Sequence, residues 1–98
     1  MALKIVWTKR AQSGYDKVID YLQTNITYRE VQRFVRQSQE FFNLLSQYPE
    51  MLESTKRYKN VRRGPINKYT IVTYRIELKK GLIELINIRS ARQRPLKS

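Results

Sequence analysis

The sequence predicts an α+β fold in which two N-terminal helices, forming a helical hairpin, pack on a small twisted antiparallel sheet. Two observations support this prediction. Apolar residues recur at helical spacing in the first half of the chain and alternate at strand spacing in the second half. The element order is therefore β-α-α-β-β-β, which is typical of helices layered on one face of a sheet. The 98 residues suffice for one domain, so we assign 1–98 to a single domain with a basic C-terminal tail at 89–98.

The first element is a short strand at residues 3–7, in which Leu3, Ile5 and Trp7 point to one side. We expect it to join the same sheet as the later strands. Thr8 has a side chain that can cap the following helix, which runs from about Lys9 to about Gln23. The apolar stripe of that helix consists of Ala11, Tyr15, Val18, Ile19 and Leu22.

The second helix begins with a capping box made by Thr27 and Glu30. It should end near Gln47, because Pro49 disfavours the helical conformation at Tyr48. Its buried stripe, in which serine is the only polar member, consists of Val31, Phe34, Val35, Ser38, Phe41, Phe42 and Leu45. Two helices separated by a short break predict an antiparallel pair.

The strands follow in the second half. Residues 69–78 alternate in polarity, with Thr70, Val72, Tyr74, Ile76 and Leu78 on one face. The segment 79–81 is a tight glycine turn, and the nearly continuous apolar run at 82–88 is typical of a strand with neighbours on both sides. A more polar strand is expected at 56–63, ended by Gly64 and Pro65.

Composition excludes several classes of function. The chain has no cysteine and no histidine, so it has no disulfides, no Cys or His metal site, no His base and no Cys nucleophile. Its three glycines lie too far apart for a phosphate-binding loop. We expect no metal and no cofactor. No apolar run approaches the ~18 residues of a membrane span, and the start does not resemble a signal peptide, which predicts a cytoplasmic protein without a membrane partner.

Charge is concentrated in the second half of the chain. Residues 1–53 carry 7 basic and 6 acidic side chains, a net charge of +1, whereas residues 54–98 carry 13 and 2, a net charge of +11. The whole chain, with 20 basic and 8 acidic residues, has a net charge of +12. A field of one sign predicts binding to a polyanion or to an acidic protein.

The acidic residues are poor candidates for catalysis. Asp16 and Asp20 lie off the apolar stripe of the first helix, and Glu50 and Glu53 lie near the junction of helix and strand, so a solvated position is favoured for both pairs. Glu84 stands within an apolar strand. We expect a basic residue on the neighbouring strand or turn, Arg75 or Lys79, to pair with it.

The basic clusters are the strongest functional signal. One comprises Lys56, Arg57, Lys59, Arg62 and Arg63, with Tyr58 among them, and the other comprises Arg89, Arg92, Arg94 and Lys97. Such clusters can bind phosphates or an acidic protein surface. Arginines beside a proton-transferring Tyr or Lys can also support RNA cleavage without a metal. The residues alone leave these possibilities open.

Several segments, taken in order, resemble the RelE/ParE superfamily of bacterial toxins from toxin–antitoxin modules. The resemblance covers nearly the whole chain. It rests on IVWTKRA at 5–11, VIDYL at 18–22, LLSQYPE at 44–50, YTIVTYRI at 69–76 and the ParE-like ending INIRSARQRP at 86–95. The family fold, two helices on a twisted antiparallel sheet, agrees with the order derived above.

The resemblance implies one of two activities. RelE-like members cleave mRNA in the ribosome with a basic set of residues and a C-terminal acid, whereas ParE-like members lack that set and are associated with poisoning of DNA gyrase. Lys59 matches a basic position of the RelE pattern, and Arg92 can stand in for its tail arginine. Thr70 occupies the place of the central-strand arginine, and no Tyr or His follows Tyr74. The chain is therefore more similar to ParE.

We accordingly predict a ParE-like, plasmid-stabilisation type of toxin that binds DNA gyrase and is neutralised by a cognate acidic antitoxin. The predicted target-binding residues are Arg89, Arg92, Arg94, Arg57, Lys59, Arg62 and Arg63. One alternative is a ribosome-dependent mRNA endonuclease using Lys59, Arg62 and Arg92, with Tyr58, Tyr69 or Glu53 as proton donor. Another is an inactive homologue, or a module that binds RNA or antitoxin.

Overall fold

Two helices cover one face of a five-stranded sheet in the computed structural model, which describes residues 2–91. The elements are β1 (Lys4–Trp7), α1 (Lys9–Asn25), α2 (Tyr28–Gln47), β2 (Glu53–Ser54), β3 (Val61–Asn67), β4 (Thr70–Glu77), a 3₁₀ turn (Leu78–Lys80) and β5 (Leu82–Ser90). The strands lie in the order β1-β5-β4-β3-β2. The predicted α+β class, with its helical hairpin and its first strand in the common sheet, is confirmed.

The sheet is mixed rather than wholly antiparallel. β1 runs parallel to β5, with Ile5 opposite Ile83, while the other neighbouring strands are antiparallel. Because β5 lies between β1 and β4, the interior position predicted for the apolar run at 82–88 is confirmed. The hydrophobic pattern identifies a strand but carries no information on its direction relative to a neighbour, so the parallel pair was not predictable from it.

Both helices begin at the predicted caps. The Thr8 side chain accepts a hydrogen bond from the Ala11 N–H, and the Thr27 side chain accepts one from the Glu30 N–H. The Thr8 hydroxyl also donates to the carbonyl oxygen of Leu85 at 2.8 Å, which ties the start of α1 to β5. The cap therefore fixes where α1 lies on the sheet as well as where it begins.

The hairpin has its own small core, made by Val18, Leu22, Val31 and Phe34. Ser38, the only polar member of the buried α2 stripe, donates its hydroxyl to the Phe34 carbonyl oxygen at 2.8 Å. The buried Ser38 hydroxyl is therefore satisfied by a hydrogen bond.

The main core lies between the helices and the sheet. Thr70, Val72, Tyr74 and Ile76 of β4 are buried on the helix side, as the alternation predicts. Leu78 departs from the pattern because the strand ends at Glu77 and the 3₁₀ turn leaves the leucine 72 % exposed. The turn closes at Gly81, whose φ of +68° is the left-handed conformation that glycine adopts readily.

The polar strand was predicted at the wrong residues. Residues 56–60 form a loop, and β3 spans Val61–Asn67 with Gly64 and Pro65 inside it. A proline is tolerated there because β2 pairs only with Arg62 and Arg63, so no strand needs the missing N–H of Pro65 on that side. A register shift between Pro65 and Asn67 marks a bulge at the same place.

Two further boundaries differ from the prediction. β2 was not predicted, because its two residues are too few to show an alternating pattern. At the other end of the chain β5 continues through Arg89 and Ser90, so the segment expected to be a tail from residue 89 is strand up to Ser90.

Candidate functional site

The face of the sheet that the helices leave uncovered carries arginines. Arg63 of β3 lies opposite Thr73 of β4, and Arg89 of β5 lies opposite Ile71. Directly opposed residues of antiparallel strands point to the same side, and Thr73 and Ile71 alternate with residues of the buried face such as Tyr74. Arg63 and Arg89 therefore lie on the open face. Within residues 2–91 neither arginine forms an ion pair.

A third arginine of this face, Arg75, is partly neutralised. Its guanidinium lies 4.0 Å from the Glu84 carboxylate on the adjacent strand, and both side chains are about one-third to one-half exposed. The expected cross-strand partner of Glu84 is thus confirmed as Arg75. A solvated pair of this kind stabilises the fold by about 1 kcal/mol or less, so its main effect is to remove one positive charge from the middle of the open face.

Arg62, predicted to bind the target or to take part in catalysis, points to the other side of the sheet. It lies opposite the buried Tyr74, and its Nη1 donates to the carbonyl oxygens of Leu52 at 2.6 Å and of Glu50 at 3.4 Å. The Tyr74 hydroxyl donates to the Pro49 carbonyl oxygen at 2.7 Å. Together the two side chains hold the connection between α2 and β2 against the sheet.

Burial raises the pKa of two tyrosines, Tyr74 and Tyr15. It raises the pKa of the Tyr74 hydroxyl above its ordinary value, and the backbone of Leu52 and the charge of Arg62 offset part of that rise. Burial likewise raises the pKa of Tyr15, and the neighbouring Ser38 hydroxyl offsets part of it. Both phenols are therefore held in the neutral form, in which a hydroxyl can donate a hydrogen bond.

Arg57 and Lys59 lie on the β2–β3 loop, beyond the end of the sheet ladder. Both are exposed, as are Lys56 and Tyr58, which precede them in the sequence. The Arg57 guanidinium lies 5.8 Å from the centroid of the Tyr58 ring. The cluster predicted from the sequence is thus divided: Arg57 and Lys59 project from the loop, Arg63 lies on the open face, and Arg62 is engaged inside the fold.

The last predicted cluster is only partly described. Arg89 borders a groove of about 570 Å³ between α1 and β5, together with Arg10 and Lys17 of the helix, and none of the described residues lining it is acidic. Arg92 and Arg94 lie outside the described residues. At Gly14, which also lines the groove, α1 lies directly on the β5 backbone: a Cβ placed there would be 1.7 Å from the Ile88 carbonyl oxygen.

The three candidate proton donors do not converge. Tyr58 lies on the loop before β3, and Tyr69 lies beyond the other end of that strand, where its ring packs edge-on against Phe34 at 6.4 Å between centroids. Glu53 lies opposite Arg63 on the short β2 strand. Of the three candidates, only Tyr58 lies on the loop that carries Lys59.

The acidic pairs predicted to be solvated follow that prediction. Asp16 and Asp20 are exposed on α1, and Asp16 accepts a hydrogen bond from the Gln12 amide at 3.1 Å. Across residues 2–91, no group of three or more acidic side chains is placed to hold a metal ion. Neither helix in that range has the length and apolar character needed to cross a membrane.

Two structural residues were missed in the sequence. Gly14 lies inside α1, where glycine lowers helix propensity, but it permits the close approach of the helix to β5. Asn67 shapes the β3–β4 turn, because its side-chain oxygen accepts from the Tyr69 N–H at 2.9 Å and from the Thr70 hydroxyl at 2.7 Å. An asparagine shortly before a strand is a recognisable turn signal, so Asn67 could have been identified.

Comparison with known proteins gives a family match over most of the chain. Residues 5–95 match the family model described as the ParE toxin of the type II toxin–antitoxin system parDE. No curated protein matches the sequence significantly.

Solved structures share the fold at low identity. The chromosomal ParDE toxin–antitoxin system of P. aeruginosa matches with a TM-score of 0.72 at 16% identity, over 91% of this chain and 96% of that one. The toxin–antitoxin complex RelBE2 of Mycobacterium tuberculosis matches with a TM-score of 0.64 at 16% identity, over 92% and 99%. A conserved hypothetical protein of Helicobacter pylori matches with a TM-score of 0.54 at 18% identity, over 92% and 96%.

Proposed function

This chain belongs to the ParE toxin family of type II toxin–antitoxin systems, and from that premise we propose that it arrests growth in the cytoplasm by binding DNA gyrase rather than by cleaving RNA. The observation that carries the choice is the placement of Arg62. The nuclease alternative uses this arginine beside Lys59 at the scissile phosphate, but its Nη1 donates to the Leu52 and Glu50 carbonyl oxygens, on the side of the sheet away from the open face.

Two tyrosines support the same choice. The Tyr74 hydroxyl is bonded to the Pro49 carbonyl oxygen, and Tyr69 packs against Phe34 at the far end of β3 from Lys59. Proton transfer to a leaving group needs an acid within hydrogen-bond reach of it. Only Tyr58 of the candidate donors shares the loop with Lys59, so cleavage there would depend on this one phenol for proton transfer, whereas binding to an acidic surface needs no proton transfer.

The target-binding surface in this proposal consists first of described cations that the fold does not engage. These are Arg63 and Arg89 on the open face and Arg57 and Lys59 on the β2–β3 loop. The proposal adds Arg92 and Arg94, which lie beyond the described residues. Arg62 is assigned to the fold instead.

We infer that the partner that neutralises the toxin is an acidic antitoxin. Two of the structurally similar proteins are described as toxin–antitoxin assemblies. The net charge of +11 in residues 54–98 favours an acidic chain, and the open face adds apolar contact through Ile71 and Pro65. An antitoxin bound there covers Arg63 and Arg89 and so blocks the target surface.

Two assays on one preparation test the proposed target. Purified chain is titrated into a gyrase supercoiling reaction and, separately, into a translating extract in which mRNA integrity is followed. We expect lost supercoiling with intact mRNA. Cleaved mRNA with normal supercoiling would instead establish a RelE-type nuclease, and no effect in either assay would indicate an inactive homologue.

A further inference from the structure

Three separate segments bring positive charge to one end of the sheet. The β2–β3 loop reaches β4 there, because the Ile76 N–H donates to the Asn60 carbonyl oxygen at 2.9 Å. The 3₁₀ turn reaches the start of β1, because the Lys4 N–H donates to the Gly81 carbonyl oxygen at 3.0 Å. We call this surface the basic end and define it as Lys4, Lys56, Arg57, Tyr58, Lys59, Lys79 and Lys80.

The charges of the basic end are largely uncompensated. Lys80 lies 3.5 Å from the Glu77 carboxylate, and within residues 2–91 the other five cations form no ion pair. No acidic residue occurs between Ser54 and Ile76. Uncompensated cations on neighbouring segments create a positive potential that attracts a polyanion.

Hydrogen bonds brace the loop that carries Tyr58. The Thr55 hydroxyl donates to the Tyr58 carbonyl oxygen at 3.2 Å and accepts from the Tyr58 N–H at 3.4 Å. The Thr55 N–H donates to the Val61 carbonyl oxygen at 2.9 Å. Asn60 takes a left-handed φ of 63°, a conformation that asparagine tolerates better than most residues. The loop therefore presents Tyr58 at a defined place.

Tyr58 presents an exposed aromatic ring among the cations of the basic end. Tyr58 is 56% exposed, and it contributes to neither hydrophobic cluster of the described residues. The guanidinium of Arg57 lies 5.8 Å from its ring centroid, within the range of a cation–π contact. A ring beside cations is the arrangement on which proteins stack the bases of single strands while basic side chains hold the phosphates.

We propose that the basic end binds single-stranded nucleic acid, with a base stacked on Tyr58 and phosphates held by Lys56, Lys59 and Lys79. A single strand is favoured over a duplex because paired bases are already stacked on one another and leave no face for the ring. It is favoured over an acidic protein because carboxylates would use the cations and leave the ring without a partner. The proposal requires neither gyrase nor an antitoxin, so it goes beyond the function proposed above.

The first test measures the contribution of the ring. Fluorescence anisotropy follows the binding of a fluorescein-labelled oligothymidylate about 12 nucleotides long, a length within the usual site size. We expect Tyr58→Ala to weaken binding about 5- to 100-fold and Tyr58→Phe to retain it, since stacking needs the ring and not the hydroxyl. Tyr28→Ala is the matched control, because Tyr28 is 72% exposed on α2, far along the chain from the basic end.

The second test measures the contribution of charge. Plotted against the logarithm of salt concentration, the logarithm of the binding constant falls with a negative slope. In the double variant Lys56→Ala, Lys59→Ala this slope should be smaller in magnitude by about 0.7 for each phosphate that these lysines neutralise in the parent protein. Arg29→Ala with Arg36→Ala removes the same charge from the exposed side of α2 and should leave the slope unchanged. An oligouridylate of the same length shows which sugar is preferred, and the ring test is repeated on the tighter of the two.

Three results would overturn the proposal. These are a duplex of equal length that binds as tightly as the single strand, unchanged binding by Tyr58→Ala, and displacement of the oligonucleotide by polyglutamate at the same charge concentration. Circular dichroism of each variant confirms that the fold is retained. The gyrase proposal does not use the Tyr58 ring, so Tyr58→Ala should still inhibit supercoiling while losing the oligonucleotide, and failure of one proposal is thereby distinguishable from failure of the other.

Discussion

The Nη1 of Arg62 lies 2.6 Å from the carbonyl oxygen of Leu52. The contact joins β3 to the segment that follows α2, and Tyr74 reinforces it by donating to the Pro49 carbonyl oxygen. One arginine of the basic cluster therefore holds the fold, while its neighbour Arg63 lies exposed on the open face. This difference between adjacent residues makes the two roles separable by substitution.

We expect Arg62→Ala to destabilise the protein by about 1–3 kcal/mol, because it removes a charged hydrogen-bond donor and leaves the partly buried Leu52 carbonyl oxygen without that partner. Arg63→Ala should change the free energy of unfolding by less than about 0.5 kcal/mol. Urea denaturation of both variants measures the difference. Equal stabilities would show that the Arg62 contacts are not structurally important.

Gly14→Ala should be destabilising, although alanine normally stabilises a helix by about 1 kcal/mol relative to glycine. The added Cβ would lie 1.7 Å from the Ile88 carbonyl oxygen, so α1 has to move away from β5. We expect a loss of at least about 2 kcal/mol, near the upper part of the range for overpacking. The control is Ser13→Ala, at the exposed preceding position. A stabilised Gly14→Ala protein would contradict the close packing of helix and strand.

Stability should fall as the pH rises above about 10, the ordinary pKa of tyrosine. Burial raises the pKa of Tyr15 and Tyr74 in the folded state, so the unfolded chain loses these protons first and is favoured at high pH. Their contribution is complete below the unfolded pKa and disappears as pH passes the folded pKa. Denaturation is measured at a series of pH values on both sides of the ordinary tyrosine pKa. The free energy of unfolding should fall less steeply with pH in the double variant Tyr15→Phe, Tyr74→Phe than in the parent protein. An equally steep fall in the free energy of unfolding of both proteins would show that other groups cause the effect.

The complex with an acidic antitoxin should lose only part of its affinity when salt is raised from low to moderate concentration. Salt screens the contacts made by Arg63 and Arg89, whereas apolar contacts at Ile71 and Pro65 are not screened. Calorimetric titration at several salt concentrations measures this dependence. Complete dissociation at moderate salt would mean that charge alone holds the partners together.

The sequence predicts the elements whose signals are local. Thr8 and Thr27 identify both helix starts, and the alternation from Thr70 to Ile76 identifies the buried face of β4. It does not predict that β1 lies beside β5, because that pairing joins opposite ends of the chain and no local pattern encodes it.

The errors in predicting the basic cluster also arise because strand pairing is not encoded locally. Pro65 reads as the end of a strand, but it is tolerated in β3 because β2 stops short of it, a fact visible only after the sheet is assembled. Because β3 begins at Val61, Lys56, Arg57 and Lys59 lie on a loop and not on the strand that the sequence predicts. The inward direction of Arg62 likewise depends on its register with Tyr74, so the basic cluster could be found in the sequence but not divided into its structural and exposed members.

The central claim, that this toxin acts by binding gyrase through a basic surface to which Arg89, Arg92 and Arg94 contribute, is tested most directly by measuring that binding. Surface plasmon resonance with immobilised gyrase compares the parent chain with a variant carrying Arg89→Ala, Arg92→Ala and Arg94→Ala. Lys9→Ala, Arg29→Ala and Arg36→Ala form the control with the same charge change. We predict saturable binding that the first triple variant weakens and the control retains. No binding by the parent chain, or equal binding by both variants, would contradict the account.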